Sequence, residues 1–99
     1  MECSVVGTED ISLLEAHRKS TLVHLPDGKF LVRGSLKHCE RRLDSATFFR
    51  ANSGCIVNLS HVKQSRFLED GSLIFILRDG KEVVLSRRQS VLFRKTRGL

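Results

Sequence analysis

Residues 49–58 have the sequence Phe-Arg-Ala-Asn-Ser-Gly-Cys-Ile-Val-Asn, in which apolar residues flank the polar turn Asn52-Ser53-Gly54. Residues 83–89 repeat this arrangement with Val-Val-Leu-Ser-Arg-Arg-Gln. We interpret these stretches as short apolar strands that carry polar or basic residues to their ends. Two such ends lying side by side would form a rigid positive edge, which suits a phosphate backbone and the guanine edges in a DNA groove.

The charge of the chain is unevenly distributed. The 99 residues have a net charge of +6, and this length suits one domain with a modest core. Residues 1–17 contain four acidic residues and no Lys or Arg, whereas residues 83–99 contain five basic residues and no acidic one. A basic surface of this size suggests nucleic acid, an anionic membrane or an acidic protein as the partner.

Several classes of protein are disfavoured by the sequence. No apolar run approaches the ~18 residues of a membrane span, and no signal peptide opens the chain. The three cysteines form no CxxC pair, so we expect a cytoplasmic protein, with Cys39 and Cys55 in the core. His24 lies among apolar residues in a predicted strand, and we expect it on the surface of that strand and not in a catalytic site. No nucleophile elbow, acid/base pair, phosphate loop or metal-ligand spacing is present. We therefore predict a protein that is not an enzyme and needs no cofactor or metal.

Hydrophobic patterning predicts a mainly β domain of short antiparallel sheets, a hairpin meander with one mid-chain helix and one C-terminal helix. Asp-Gly pairs at 70–71 and 79–80 predict two successive tight hairpins, and Pro26-Asp27-Gly28 predicts another turn. The predicted strands are 10–16, 20–25, 30–33, 48–50, 55–58, 63–68, 72–77 and 81–85; the predicted helices are 35–43, with one apolar face of Leu36, Cys39 and Leu43, and 86–97, with Gly98 as its C-terminal stop.

The start of the last helix carries the clearest functional signal. Ser86 is a favourable N-cap, and Gln89 completes a capping-box pattern. Arg87 and Arg88 then lie in the first helical turn, where the helix dipole disfavours cations and favours an anionic partner. Arginine also matches guanine O6 and N7 in a bidentate contact. Two solvated surface arginines would give the same pattern.

Two other turns are candidates for the same surface. His17-Arg18-Lys19 forms a basic connection between two predicted strands. Asn52-Ser53 forms a polar turn, in which Asn could pair with adenine and Ser with a phosphate. Taken singly, each is equally typical of an ordinary solvated turn.

These residues resemble the LytTR family, the DNA-binding output domains of many bacterial two-component response regulators. The resemblance rests on Phe49-Arg50 followed by Ile56-Val57-Asn58, and then on Ser86-Arg87-Arg88. It covers residues 10–97, so we expect 1–9 to be an N-terminal extension or linker and 10–99 to be the DNA-binding domain.

The resemblance implies an elongated domain whose loops enter successive major grooves of double-stranded DNA, usually as a homodimer on direct-repeat sites. It implies a base contact by Arg88 and phosphate contacts by Arg87 and Lys37, with polar contacts from the turn beside Arg50. The resemblance is compatible with an upstream receiver or sensor domain in the full-length protein, and we expect no membrane contact from this segment. The implied DNA-contacting residues are His17, Arg18, Lys19, Lys37, Arg50, Asn52, Ser53, Arg87 and Arg88.

The chain departs from the family pattern at two places. Ser53, Gly54 and Cys55 stand where the family has a basic residue, Ser and an aromatic, and Gln89 replaces an aromatic after the arginines. Two alternatives remain: a small β-rich RNA-binding module and a domain that binds an acidic protein. The first is disfavoured because the six phenylalanines are predicted to be buried, and single-strand readers expose aromatics for stacking.

Overall fold

The computed structural model describes residues 7–97. Within that range the chain forms eight strands and two helices, with short 3₁₀ turns at Thr8–Asp10 and Leu59–His61. The principal-axis extents are 41 × 24 × 22 Å, so the domain is elongated, as predicted. The elements are β1 (Leu13–His17), β2 (Ser20–Leu25), β3 (Gly28–Arg33), α1 (Leu36–Glu40), β4 (Phe48–Asn52), β5 (Cys55–Asn58), β6 (Val62–Phe67), β7 (Leu73–Leu77), β8 (Glu82–Val84) and α2 (Arg87–Arg97).

The described strands form two antiparallel sheets, which confirms the predicted fold class. The larger sheet has the order β3-β2-β1-β5-β4, and the smaller is β6-β7-β8. Only the smaller sheet is a plain meander. In the larger one, α1 carries the chain to the far edge, and β5 returns to pair with β1, with Leu14 opposite Ile56. This pairing brings the ends of two separate hairpins together.

Both Asp-Gly hairpins form as predicted. Gly71 and Gly80 have φ angles of +90° and +93°, a conformation that an L residue rarely adopts. The preceding aspartates also close the turns: Asp70 Oδ1 accepts from the backbone N–H of Ser72 at 3.0 Å, and Asp79 Oδ1 accepts from that of Lys81 at 3.0 Å. These hairpins set the register of the smaller sheet.

The main core lies between the two sheets. Residues of β1, β4 and β5 pack against residues of β7 and β8, and Phe93 of α2 closes the cluster. The Phe93 ring meets the rings of Phe49 and Phe75 edge-on, with centroids 5.2 and 5.0 Å away. Edge-to-face pairs of this kind add to the stabilisation from burial, so α2 is held firmly against both sheets.

A second core lies on the opposite face of the larger sheet. Leu36 of α1 is buried against Leu14, Val23 and Ile56, and Cys39 and Leu43 pack at its margin. This confirms the predicted apolar face of the mid-chain helix. The molecule is therefore layered as α1, the larger sheet, and then the smaller sheet with α2.

Some predicted boundaries were wrong. The first strand begins at Leu13 and not at residue 10, because Thr8–Asp10 forms a 3₁₀ turn. Helix α1 ends at Glu40 and not at residue 43. The predicted helix stop at Gly98 lies outside the described residues.

Two predictions of exposure were also wrong. His24, expected on the surface, is only 7% exposed, and its Nε2 lies 2.6 Å from Glu15 Oε1. Phe67, expected in the core, is 56% exposed. It lies at the end of β6, an edge strand that no other layer covers, and the Arg94 guanidinium lies 4.8 Å above its ring.

Candidate nucleic-acid interface

Three loops meet at one end of the molecule: the β1–β2 turn, the β4–β5 turn and the β8–α2 junction. The backbone N–H of Ala16, at the end of β1, donates to the carbonyl of Gly54 at 2.9 Å. The N–H of Ser86 donates to the carbonyl of Ala51 at 3.0 Å. Backbone hydrogen bonds therefore join the first loop to the second and the second to the third.

The β1–β2 turn is a tight basic apex. His17 pairs with Ser20 across the turn, and His17, Arg18 and Lys19 are all exposed. Arg18 has a φ of +59°, the only positive φ of a non-glycine residue in the described part of the chain. Left-handed backbone is unfavourable for an L side chain, and such residues concentrate at functional sites.

The β4–β5 turn is held by the side chain of Asn52. Its Oδ1 accepts from the backbone N–H of Gly54 at 2.8 Å, and its Nδ2 donates to the carbonyl of Val84 in β8 at 2.7 Å. Ser53, at the tip, is exposed. Among the residues predicted for this turn, the structure therefore presents Ser53 to solvent and directs the Asn52 amide into the protein.

Arg50 fastens the same turn to α1. Its Nε donates to the carbonyl of Asn52 at 2.9 Å, and an Nη donates to that of Ser53 at 3.0 Å. The other Nη lies 2.5 Å from Glu40 Oε1, and the Arg50 side chain is 24% exposed. Three guanidinium N–H groups of Arg50 thus donate to acceptors within the protein. Arg50 also links the interface to α1, which carries the exposed Lys37.

The N-terminus of α2 has half of the predicted capping box. Ser86 Oγ accepts from the N–H of Gln89 at 3.2 Å, so Ser86 is the N-cap as expected. The return bond from Gln89 to Ser86 is replaced, because Gln89 Nε2 donates to the carbonyl of Arg50 at 2.6 Å. Gln89, which stands where the family has an aromatic, thus ties α2 to β4.

The two arginines in the first turn of α2, Arg87 and Arg88, project into solvent. Arg87 lies 3.9 Å from Asp70 Oδ2, and its side chain is 77% exposed, so this ion pair is weak. Hydrogen bonds from Ser72, and to a lesser extent the positive charge of Arg87, hold the pKa of Asp70 below its usual range. Within residues 7–97, no carboxylate lies within 4 Å of the Arg88 guanidinium. Arg88 is thus available to an anionic or guanine partner.

Ser90 supports this end of α2, a role that the sequence analysis missed. It is 2% exposed. Its Oγ accepts from the backbone N–H of Leu73 at 2.9 Å and donates to the carbonyl of Ser86 at 2.9 Å. Ser90 lies three residues before Phe93 and therefore on the same, inward face of the helix. This spacing is the sequence feature that could have predicted its burial.

A groove of about 430 Å³ beside these loops contains Glu15, His24, Cys55 and Glu82. Burial, reinforced by the Glu15 carboxylate, raises the pKa of Cys55 to about 12. Its thiol stays protonated at neutral pH and is a poor nucleophile. Among the described residues, no cluster of His, Cys, Asp and Glu is arranged to hold a metal ion. No helix in residues 7–97 has the length and apolarity to span a membrane.

Comparison with known proteins gives a consistent result. The model of the LytTr DNA-binding domain family, LytTR, matches residues 2–98. A solved structure with the same fold is the LytTr DNA-binding domain of a methyl-accepting/DNA response regulator from Bacillus cereus. It superposes with a TM-score of 0.88 at 26% sequence identity, covering 95% of this chain and 86% of that one. The comparison with curated proteins found no match.

Proposed function

This chain belongs to the LytTR family of DNA-binding domains, and we propose that it binds specific sequences of double-stranded DNA as the output domain of a bacterial two-component transcription regulator. The observation that carries the proposal is the meeting of three loops at one end of the molecule. Each presents exposed cationic or hydroxyl side chains, and backbone hydrogen bonds join each loop to the next.

Each loop has a role that its chemistry supports. Arg88, in the first turn of α2, contacts a base edge in the major groove, where a guanidinium pairs bidentately with guanine. Arg87, beside it in α2, and Lys37 of α1 contact phosphates. Ser53 supplies the polar contact between the β4–β5 turn and the DNA. Arg18 and its basic neighbours in the β1–β2 turn contact the DNA phosphate backbone.

The wider organisation follows the family. We propose that two copies bind direct-repeat sites as a homodimer on DNA, in the cytoplasm, with residues 1–9 as the link to an upstream receiver or sensor domain. Half-sites one helical turn apart, about 10–10.5 base pairs, place two copies on the same side of the duplex. No contact in the described residues favours RNA as the ligand.

The proposal is tested by the salt dependence of binding to a duplex selected from a random pool. Each neutralised phosphate contributes a slope of about −0.9 in log affinity against log salt. With ~6–10 phosphate contacts, affinity should fall by about 10³–10⁵ between 50 and 200 mM salt. A flat response in a gel shift across that range contradicts the proposal. Stronger binding to single-stranded RNA than to the duplex supports the alternative instead.

A further inference from the structure

We infer that Gln89 and Asn52 are positioning residues that hold Arg88 and the β4–β5 turn in one fixed geometry toward DNA. The inference rests on the proposed function and adds which residues set the specificity of DNA binding. Gln89 follows Arg88 directly in the chain, and its Nε2 donates to the carbonyl of Arg50 at 2.6 Å. Asn52 Nδ2 donates in the other direction, to the carbonyl of Val84 at 2.7 Å.

These two bonds connect parts of the chain that are far apart in sequence. Gln89 and Arg50 are 39 residues apart, and Asn52 and Val84 are 32 apart. One end of each bond lies in the larger sheet; the other lies in the smaller sheet or in α2. Base recognition requires contact groups to be held to roughly 0.5 Å. A shift of α2 and the smaller sheet relative to β4 by more than that distance would misplace Arg88 relative to Ser53. The hydrogen bonds of the Asn52 and Gln89 amides oppose such a shift.

Asn52 is itself an unsuitable base reader in this conformation. One hydrogen of Nδ2 is used by Val84 and one lone pair of Oδ1 by Gly54. A bidentate contact with adenine needs both atoms of the amide aligned with the base edge, so turning it outward breaks both bonds. The exposed residue at the tip of this turn is Ser53. The structure assigns the contact to Ser53 and the placement of the turn to Asn52.

Gln89→Met is the central test, because methionine keeps the length of the side chain and removes the donor. Gln64→Met is the matched control, since Gln64 is exposed on β6. A duplex selected by the wild type is altered one base pair at a time, and the affinity of each variant is measured on every duplex. Thermal unfolding of each variant separates positioning from loss of fold. Arg88→Ala identifies the base pair that Arg88 contacts.

We expect Gln89→Met to stay folded and to lose preference at the base pair that Arg88→Ala also affects. A bidentate contact gives roughly 5- to 150-fold preference, and Gln89→Met should reduce the observed preference at least about threefold. Gln64→Met should leave it unchanged. Asn52→Ala should weaken the preference at two base pairs, the one that Arg88→Ala affects and the one that Ser53→Ala affects. If Gln89→Met does not fold, Asn52→Ala provides the test.

Two results overturn the inference. A folded Gln89→Met with wild-type preference at every position shows that the amide does not position Arg88. The second is an Asn52→Ala variant that loses preference at a single base pair whose preference Arg88→Ala and Ser53→Ala leave unchanged. That result shows that Asn52 contacts a base directly. If the wild type selects no duplex at all, the proposed function itself has failed, and the inference fails with it.

Discussion

Replacing Arg18 with glycine should stabilise the protein while weakening its binding to DNA. Arg18 has a φ of +59° at the tip of the β1–β2 turn. The left-handed conformation costs an L residue about 1–2 kcal/mol, and glycine adopts it without that cost. Glycine loses about 0.5–1 kcal/mol more in chain entropy on folding. The difference is a stabilisation of about 0.5–1 kcal/mol, or a rise in Tm of about 2–8 °C for a domain of this size.

The same substitution removes one cation from the proposed interface. One phosphate contact contributes about 0.9 to the slope of log affinity against log salt, equivalent to about a threefold change in affinity between 50 and 200 mM. The Gly variant should therefore lose about threefold less affinity over that range than the wild type does, starting from weaker binding at low salt.

Calorimetry and gel shifts at the two salt concentrations measure these effects, with two control variants. Arg18→Ala removes the same charge but keeps the unfavourable φ, so it should bind like the Gly variant without the gain in Tm. Lys29→Ala removes a charge from β3, opposite His24 and far along β2 from the β1–β2 turn, and should leave the salt slope unchanged. A Gly variant that is no more stable than the Ala variant, or whose salt slope equals that of the wild type, would contradict these roles of Arg18.

Three further predictions concern the end of the molecule around α2. Arg88→Ala should lose about 1–3 kcal/mol of binding at one base pair, whereas Arg87→Ala should weaken binding equally on all sequences; equal loss from both in a base-substitution series contradicts the assignment. Ser90→Ala should destabilise the fold by about 1–3 kcal/mol in urea unfolding, because it leaves the buried N–H of Leu73 without a partner; an unchanged midpoint would count against this. Burial raises the pKa of Cys55 to about 12, so its thiol should resist alkylation at pH 8 in the folded protein. The stability that the protonated thiol contributes should be lost as pH rises from about 9 toward 12. Rapid alkylation of the folded protein at pH 8 would contradict the raised pKa.

Local signals in the sequence were sufficient for most of the fold. Asp-Gly pairs require a positive φ at the glycine, so both hairpins of the smaller sheet were predictable from the chemistry of Gly71 and Gly80. The apolar spacing of Leu36 and Cys39 likewise predicted which face of α1 is buried, and Leu43, three residues beyond the end of the helix, packs at the margin of the same core. These features depend on residues within one turn or one helix.

Burial was predicted less well, because alternation shows which side chains share a face and not whether that face is covered. His24 alternates with apolar residues in β2 and is buried beside Glu15. Phe67 ends β6, an edge strand whose residues between Val62 and Phe67 are polar, and it stays exposed. Only the packing of the two sheets distinguishes these cases.

The loops of the candidate interface were predicted from the sequence. The hydrogen bonds that some of their residues make within the protein were not predicted. Arg50 and Asn52 are polar turn residues in the sequence, and both direct their donors into the protein. Gln89 was predicted to cap its own helix and bonds to β4 instead. The partners outside the turn (Glu40 for Arg50, Val84 for Asn52 and Arg50 for Gln89) are 10 to 39 residues away, a distance over which no local pattern carries information.

The most direct test of the converging loops is the change in backbone amide NMR shifts on titration with a selected duplex. We expect the largest changes at Arg18, Ser53 and Arg88, with little change at Gly28 and Gly80. Those two glycines lie in turns at the opposite end, where Pro26 and Asp79 line the same small cavity. Changes concentrated at Gly28 and Gly80, or limited to only one of the three loops, would contradict a single DNA-binding face.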